Sequence, residues 1–249
     1  MKKWVLFALI FIGSLAYTAS FAQSKSEFIK VDYDAIEKFV KNHETEFEGL
    51  MKRFIEGDQS LTQDEVKTVY YGSYFSSNYD YADVSKELSE AFNADDYEKS
   101  LELCRAELSK SPTNMSLLFR GLVSAKEMEE DNEYEIYRTR LMQILDVVMN
   151  TGDGRSAKTA YKIIEVSDEY FIIYGVFGLN FKQQALSGNY DIMTVYSDEE
   201  PEQLIDLYFD ITLHMAKLDE IFGFSTPQKA QKGKKKSRKN KVDAKLIIN

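Results

Sequence analysis

The chain has 249 residues, 44% of them hydrophobic, and a formal net charge of −10. That is enough apolar material for one large domain or two small ones, each with a real core, and too much for a disordered chain. A single cysteine excludes an internal disulfide, so packing must supply the stability.

The charge is unevenly divided. Residues 229–245 hold nine Lys or Arg and one Asp, a net of +8, and Lys2 and Lys3 add +2, which leaves −20 on the body between them. An acidic body repels nucleic acid and anionic lipid, so no nucleic acid is expected on the folded part.

In chain order, Lys2 and Lys3 precede an unbroken apolar run, Trp4 to Ile12, and then Ser20, Phe21 and Ala22. That order predicts a cleavable signal peptide over 1–22. The run is shorter than the ~20 residues that span a bilayer. Cys104 is far from the cleavage point, so the expectation is an exported protein, periplasmic or secreted, and not a lipoprotein.

Apolar residues from Tyr33 to Ile55 recur at helical spacing in a single stripe, and Gly57-Asp58 closes it. Thr62 with Glu65 makes a capping-box pattern for a short helix through Val66 and Val69. Tyr70 to Tyr81, YYGSYFSSNYDY, fits neither helix nor strand and predicts an ordered loop packed on the helices.

Residues 83–149 predict four helices. The first carries Val84, Leu88 and Phe92. The second is capped by Asp95 and stops before Pro112. The third starts at Thr113 or Asn114, and the fourth runs from Tyr134 to Val148. Cys104 shares a helical face with Leu101 and Leu108, which predicts a buried, unreactive thiol.

Thr151 to Ser156, TGDGRS, marks the internal boundary. Beyond it Tyr161–Val166, Tyr170–Phe177, Phe181–Leu186, Tyr190–Tyr196 and Leu204–Leu213 predict strands, with Ser167-Asp168 as a turn between the first two. Leu204–Leu213 fits alternation only in part and leaves a helix open. The expected fold class is α+β: N-terminal helical hairpins followed by a small antiparallel β-sheet. The expected regions are 1–22 signal peptide, 23–150 helical, 151–225 β-rich and packed on it, and 226–249 a basic disordered tail.

Tyr97-Glu98-Lys99-Ser100, with Pro112 twelve residues after Ser100, resembles the second half of a tetratricopeptide repeat. A degenerate second copy begins at Met115, with Leu118, Gly121 and Ala125. The mature chain as a whole resembles domain-of-unknown-function family 4919, exported proteins of Bacteroidetes-type bacteria. The residues that carry this are Tyr70-Tyr71-Gly72, Asp96 to Cys104, Thr151-Gly152-Asp153-Gly154, Tyr161 to Tyr170, Gly188-Asn189-Tyr190-Asp191 and Leu207-Tyr208-Phe209-Asp210. The resemblance covers about residues 30–213. It implies a helical, repeat-like half followed by a small β half, and no assigned activity.

No chemical motif stands out. His43 and His214 are the only histidines, and His43-Glu44 lacks the second His of a zinc helix. No P-loop or GxGxxG pattern occurs, one Asp in TGDG falls short of a calcium loop, and Glu199-Glu200 reads as a solvated turn. No catalytic residue, cofactor or metal is therefore assigned. The candidate partner-binding residues are Tyr70, Tyr71, Tyr74, Phe75, Tyr79 and Tyr81, whose rings could stack on sugars or anchor a protein. The competing reading, favoured at Tyr70, Tyr74 and Phe75, packs them onto the helical half as a lid. The leading functional reading is a non-enzymatic interaction or scaffold protein of the cell envelope, partnered by an envelope protein or glycan. The alternative is a hydrolase acting on envelope glycans through a pair of acids. The basic tail would contact polyanions or the acidic body.

Overall fold

The computed structural model describes residues 28–78 and 84–222. The expected signal peptide, the basic tail, Tyr79 and Tyr81 lie outside the described residues. Seven α-helices come first: α1 (Tyr33–Asn42), α2 (Glu44–Ile55), α3 (Gln63–Ser73), α4 (Lys86–Asn93), α5 (Tyr97–Leu108), α6 (Met115–Glu127) and α7 (Asp131–Met149). After them come β1 (Tyr161–Lys162), α8 (Val166–Tyr170), a π turn (Phe171–Val176), β2 (Asn180–Ser187), β3 (Tyr190–Tyr196), β4 (Ile205–Asp210) and α9 (Thr212–Phe222). The fold is α+β, helices first. Among the described residues no helix is long and apolar enough to cross a membrane.

The helix starts follow from capping. Thr62 and Glu65 close a full capping box, and Asn114 accepts from the Leu117 N–H. Asp96, not Asp95, caps α5. Asp95 is spent in a left-handed turn (φ 62°) that ends α4. The single stripe expected over 33–55 is two helices. His43 ends α1 and begins α2, because the turn 41–44 is polar and exposed and buries nothing, while Glu44 and Glu46 suit a new N-terminus.

The aromatic stretch is not a loop throughout. Tyr70 to Ser73 complete α3, and Gly72 lets that turn lie against α1 and α2. A Cβ there would meet the Phe47 ring at 2.6 Å and Val40 at 3.0 Å. Within the helical half α4 packs on α5, and α6 on both α5 and α7. Cys104 is buried between them, and burial pushes its thiol up to about 12.

The sheet order is β1-β4-β3-β2. β2, β3 and β4 pair antiparallel, and Gly188-Asn189 turns the β2–β3 hairpin, with Gly188 at φ 63°. β1 is parallel to β4, so the expected all-antiparallel sheet is corrected at that edge. β2 forms the other edge, exposed from Lys182 on, and its register shifts between Phe181 and Gln183.

One expected strand is cut short and another is absent. Tyr161–Val166 shrinks to the two residues of β1, and Tyr170–Phe177 is helical. Ile163, Ile164, Ile172 and Ile173 are enclosed, and a short apolar run without a polar–apolar period does not separate strand from helix. Leu204–Leu213 divides into β4 and the start of α9. One buried cluster runs from Ile36 to Leu213, so both halves share a core across the TGDGRS turn.

Candidate functional site

Two places in the molecule carry functional potential. One is the seam between the halves and the other is a groove on the helical half. Tyr70 and Tyr71 belong to the seam. Both are 0% exposed, with rings edge to face at 4.8 Å. The Tyr70 hydroxyl donates to Asp168 Oδ2 (2.7 Å) and accepts from the Ile164 N–H (3.3 Å), and the Tyr71 hydroxyl donates to the Lys162 carbonyl (2.9 Å). Neither ring presents a face to a partner. Tyr74 and Phe75 are half-buried against each other at 5.0 Å and pack on the core.

The seam holds five buried carboxylates: Glu165, Asp168, Glu169, Asp191 and Asp210. Asn114 Nδ2 donates to Glu165 (2.6 Å), and Lys162 Nζ pairs with Asp210 (2.6 Å). Gln184 Nε2 donates to Asp191. Glu169, from α8, meets no N–H or O–H donor of another residue. Neighbouring enclosed acids favour keeping a proton on one of them, and here that is Glu169. Burial, then the charges of Asp191 and Asp168, push Glu169 up to about 9. Burial also raises Asp168, against the pull of the Tyr70 hydroxyl.

The sequence reading places Asp168 in a turn between two strands and does not anticipate this cluster. The available signal was an acid in each flank of an apolar run, Ile163-Ile164-Glu165 and Asp168-Glu169-Tyr170-Phe171. Acid–base chemistry would suit a pair of neighbouring acids, but Glu169 and Asp191 are enclosed at 0% and 2% exposure. Among the described residues no group of three or more His, Cys, Asp or Glu is placed to hold a metal ion.

The groove, about 320 Å³, runs between α2, the end of α3 and the turn before Pro112. Phe47, Met51, Ile55 and Pro112 give it apolar walls, and Ser73, Ser76 and Asn78 bring in the polar part of the aromatic stretch. Beside it the described end of that stretch, Ser77 and Asn78, is exposed.

The model of a family described as a domain of unknown function, DUF4919, matches residues 34–219. The chain belongs to that family. No curated protein and no solved structure matches it significantly.

Proposed function

We propose that this member of the DUF4919 family is exported through its N-terminal leader and acts in the periplasm or outside the cell as a non-enzymatic interaction or scaffold module. One observation carries the reading: the acids a hydrolase would need are enclosed in the seam, whereas an apolar groove stands open on the helical half. The stacked pairs α4–α5 and α6–α7, on the tetratricopeptide-like stretch, support a binding rather than a catalytic use of that half. The glycan-hydrolase alternative rests on the Glu169–Asp191 pair and requires the seam to open.

Ile55, in the groove, and Met142, outside it, are matched at 42% exposure. Cross-linking of the mature chain to envelope extract should yield a specific adduct that Ile55→Glu abolishes and Met142→Glu retains. Equal loss or equal retention in the two variants overturns the reading.

The basic tail is proposed to contact anionic lipid or the acidic body. Its +8 faces a body of −20, and tethering raises the effective concentration of the internal contact. The mature chain should be retained on anionic vesicles at low salt and released at high salt, while a version ending at Ser225 is not retained. Salt-insensitive or equal retention counts against it.

A further inference from the structure

Arg140 on α7 is 3% exposed, yet no carboxylate pairs with it. Its Nη2 donates to the Pro112 carbonyl (2.6 Å), and its guanidinium lies over the rings of Phe54 (5.3 Å) and Tyr137 (5.9 Å). Nε has no acceptor. The contrast with Arg53 is sharp: that side chain is 38% exposed and still takes two carboxylates, Asp58 at 2.7 Å and Glu65 at 2.9 Å. A buried charge ordinarily costs several kcal/mol unless it is paired. Burial pulls Arg140 down only to about 10, so it remains a cation at neutral pH.

Arg140 lines a cleft of about 290 Å³ between α2, the end of α5 and α7. Ile55, Leu108 and Ile136 supply apolar walls. Arg105 also lines it, but its guanidinium is committed to Glu133, at 2.8 Å from Nη2 and 3.0 Å from Nε. The lining therefore carries one uncompensated positive charge. A volume just under the roughly 300–1,000 Å³ of drug-sized pockets sets the ligand small. One surplus charge in a strongly acidic body selects a monoanion over a phosphate or a polyanion.

We propose that this cleft binds a small monocarboxylate with an apolar body, its carboxylate on the Arg140 guanidinium and its chain along Ile55, Leu108 and Ile136. The cleft shares Ile55 and Ser109 with the groove, but the proposal rests on a charge imbalance and not on an interaction partner, and its variants at Arg140 and Ile136 lie outside the groove. With Nη2 held by the Pro112 carbonyl, the carboxylate is received by the remaining guanidinium N–H and its charge, a position the lysine ammonium does not occupy.

Calorimetric titration of the full mature chain at low salt and neutral pH tests it, with hexanoate as the probe. Hexanoate should bind saturably, and hexanamide and inorganic phosphate should each bind about tenfold more weakly or not at all. Arg140→Lys should weaken hexanoate by about tenfold. Should that variant fail to fold, Ile136→Trp fills the cleft while keeping the arginine and should abolish binding. A peptide copying residues 245–249 separates the sources. Binding tighter than hexanoate, lost on amidating its C-terminus, assigns a chain end; weaker binding assigns a free acid. No saturation by either probe, or equal affinity for hexanoate and hexanamide, overturns the proposal.

Discussion

The helical half and the seam beside the sheet solve the problem of buried polar groups in opposite ways. In the helical half the enclosed polar side chains are mostly short and neutral and satisfy one another: Ser100 with Ser124 at 2.8 Å, and Ser73 with Thr113 at 3.0 Å. At the seam the enclosed groups are carboxylates, held by Tyr70, Asn114, Gln184 and Lys162, with Glu169 kept protonated by its burial. The first arrangement is indifferent to pH. The second ties the union of the two halves to the protonation of a few acids. The lesson is that stability here has two kinds of origin within one continuous core, and they should respond to different perturbations.

The largest effect should come from Phe54→Ala. Phe54 is fully buried and carries the Arg140 guanidinium on its face, so the loss is about 3–5 kcal/mol. Thermal unfolding followed by far-ultraviolet circular dichroism and by tyrosine fluorescence should shift together. Two separated transitions would break the comparison by showing that the halves fold independently.

Next is the pH response of the seam. Glu169 keeps its proton to about 9 in the folded chain, and the unfolded chain releases it near the ordinary 4.5. The folded state thus binds more protons between those values, so this group's contribution is full below 4.5 and is lost as pH rises toward 9. The slope is at most about 1.4 kcal/mol per pH unit. Denaturant melts at pH 5 and pH 8 should show the wild type losing stability relative to Glu169→Gln, whose amide can donate to Asp191 without titrating. Parallel curves for the two proteins would remove the proton from the account.

Tyr70→Phe should cost about 1–3 kcal/mol, because Asp168 Oδ2 and the Ile164 N–H both lose their partner. Phenylalanine keeps the ring, so the measurement isolates the polar link between α3 and the β half. No change would mean that water replaces the hydroxyl.

Gly72→Ala should cost about 1–2 kcal/mol, since the new methyl meets the Phe47 ring, which can yield in part. Unlike Tyr70→Phe, its cost should be the same at pH 5 and pH 8. A pH-dependent cost would blur the division between the two regions.

Legibility in the sequence follows the same division. The helical half was readable because its signals are local. Thr62 with Glu65, and Asn114, each sit within three residues of the group they cap. The β2–β3 hairpin was readable from Ser187-Gly188-Asn189 for the same reason. The seam was not. Tyr170 to Val176 holds no charged residue, so its helical stretch shows no polar–apolar period, and the parallel pairing of Tyr161 with Phe209 spans 48 residues that no local rule connects. Asp168 reads as a turn residue until Tyr70, 98 positions away, is placed against it. Arg140 gives no signal in the sequence, because an arginine on a helix is ordinarily solvated. Its peculiarity is the absence of a paired acid, which only the packed structure reveals.

The outer strand of the sheet has a consequence for behaviour at high concentration. A strand on an edge offers unpaired amide and carbonyl groups to any neighbouring copy and can seed fibre-like stacking. Here that strand bears Lys182, Gln183 and Gln184 on exposed positions, and its shift of register between Phe181 and Gln183 interrupts the regular ladder a second copy would need. The β1 edge is only two residues long. Leu186, at 61% exposure, is the one large apolar side chain left open on the outer strand among the described residues, and it sits at the hairpin end. The sheet is thereby poorly suited to adding strands from other molecules, which keeps a sticky edge from becoming a route to aggregation.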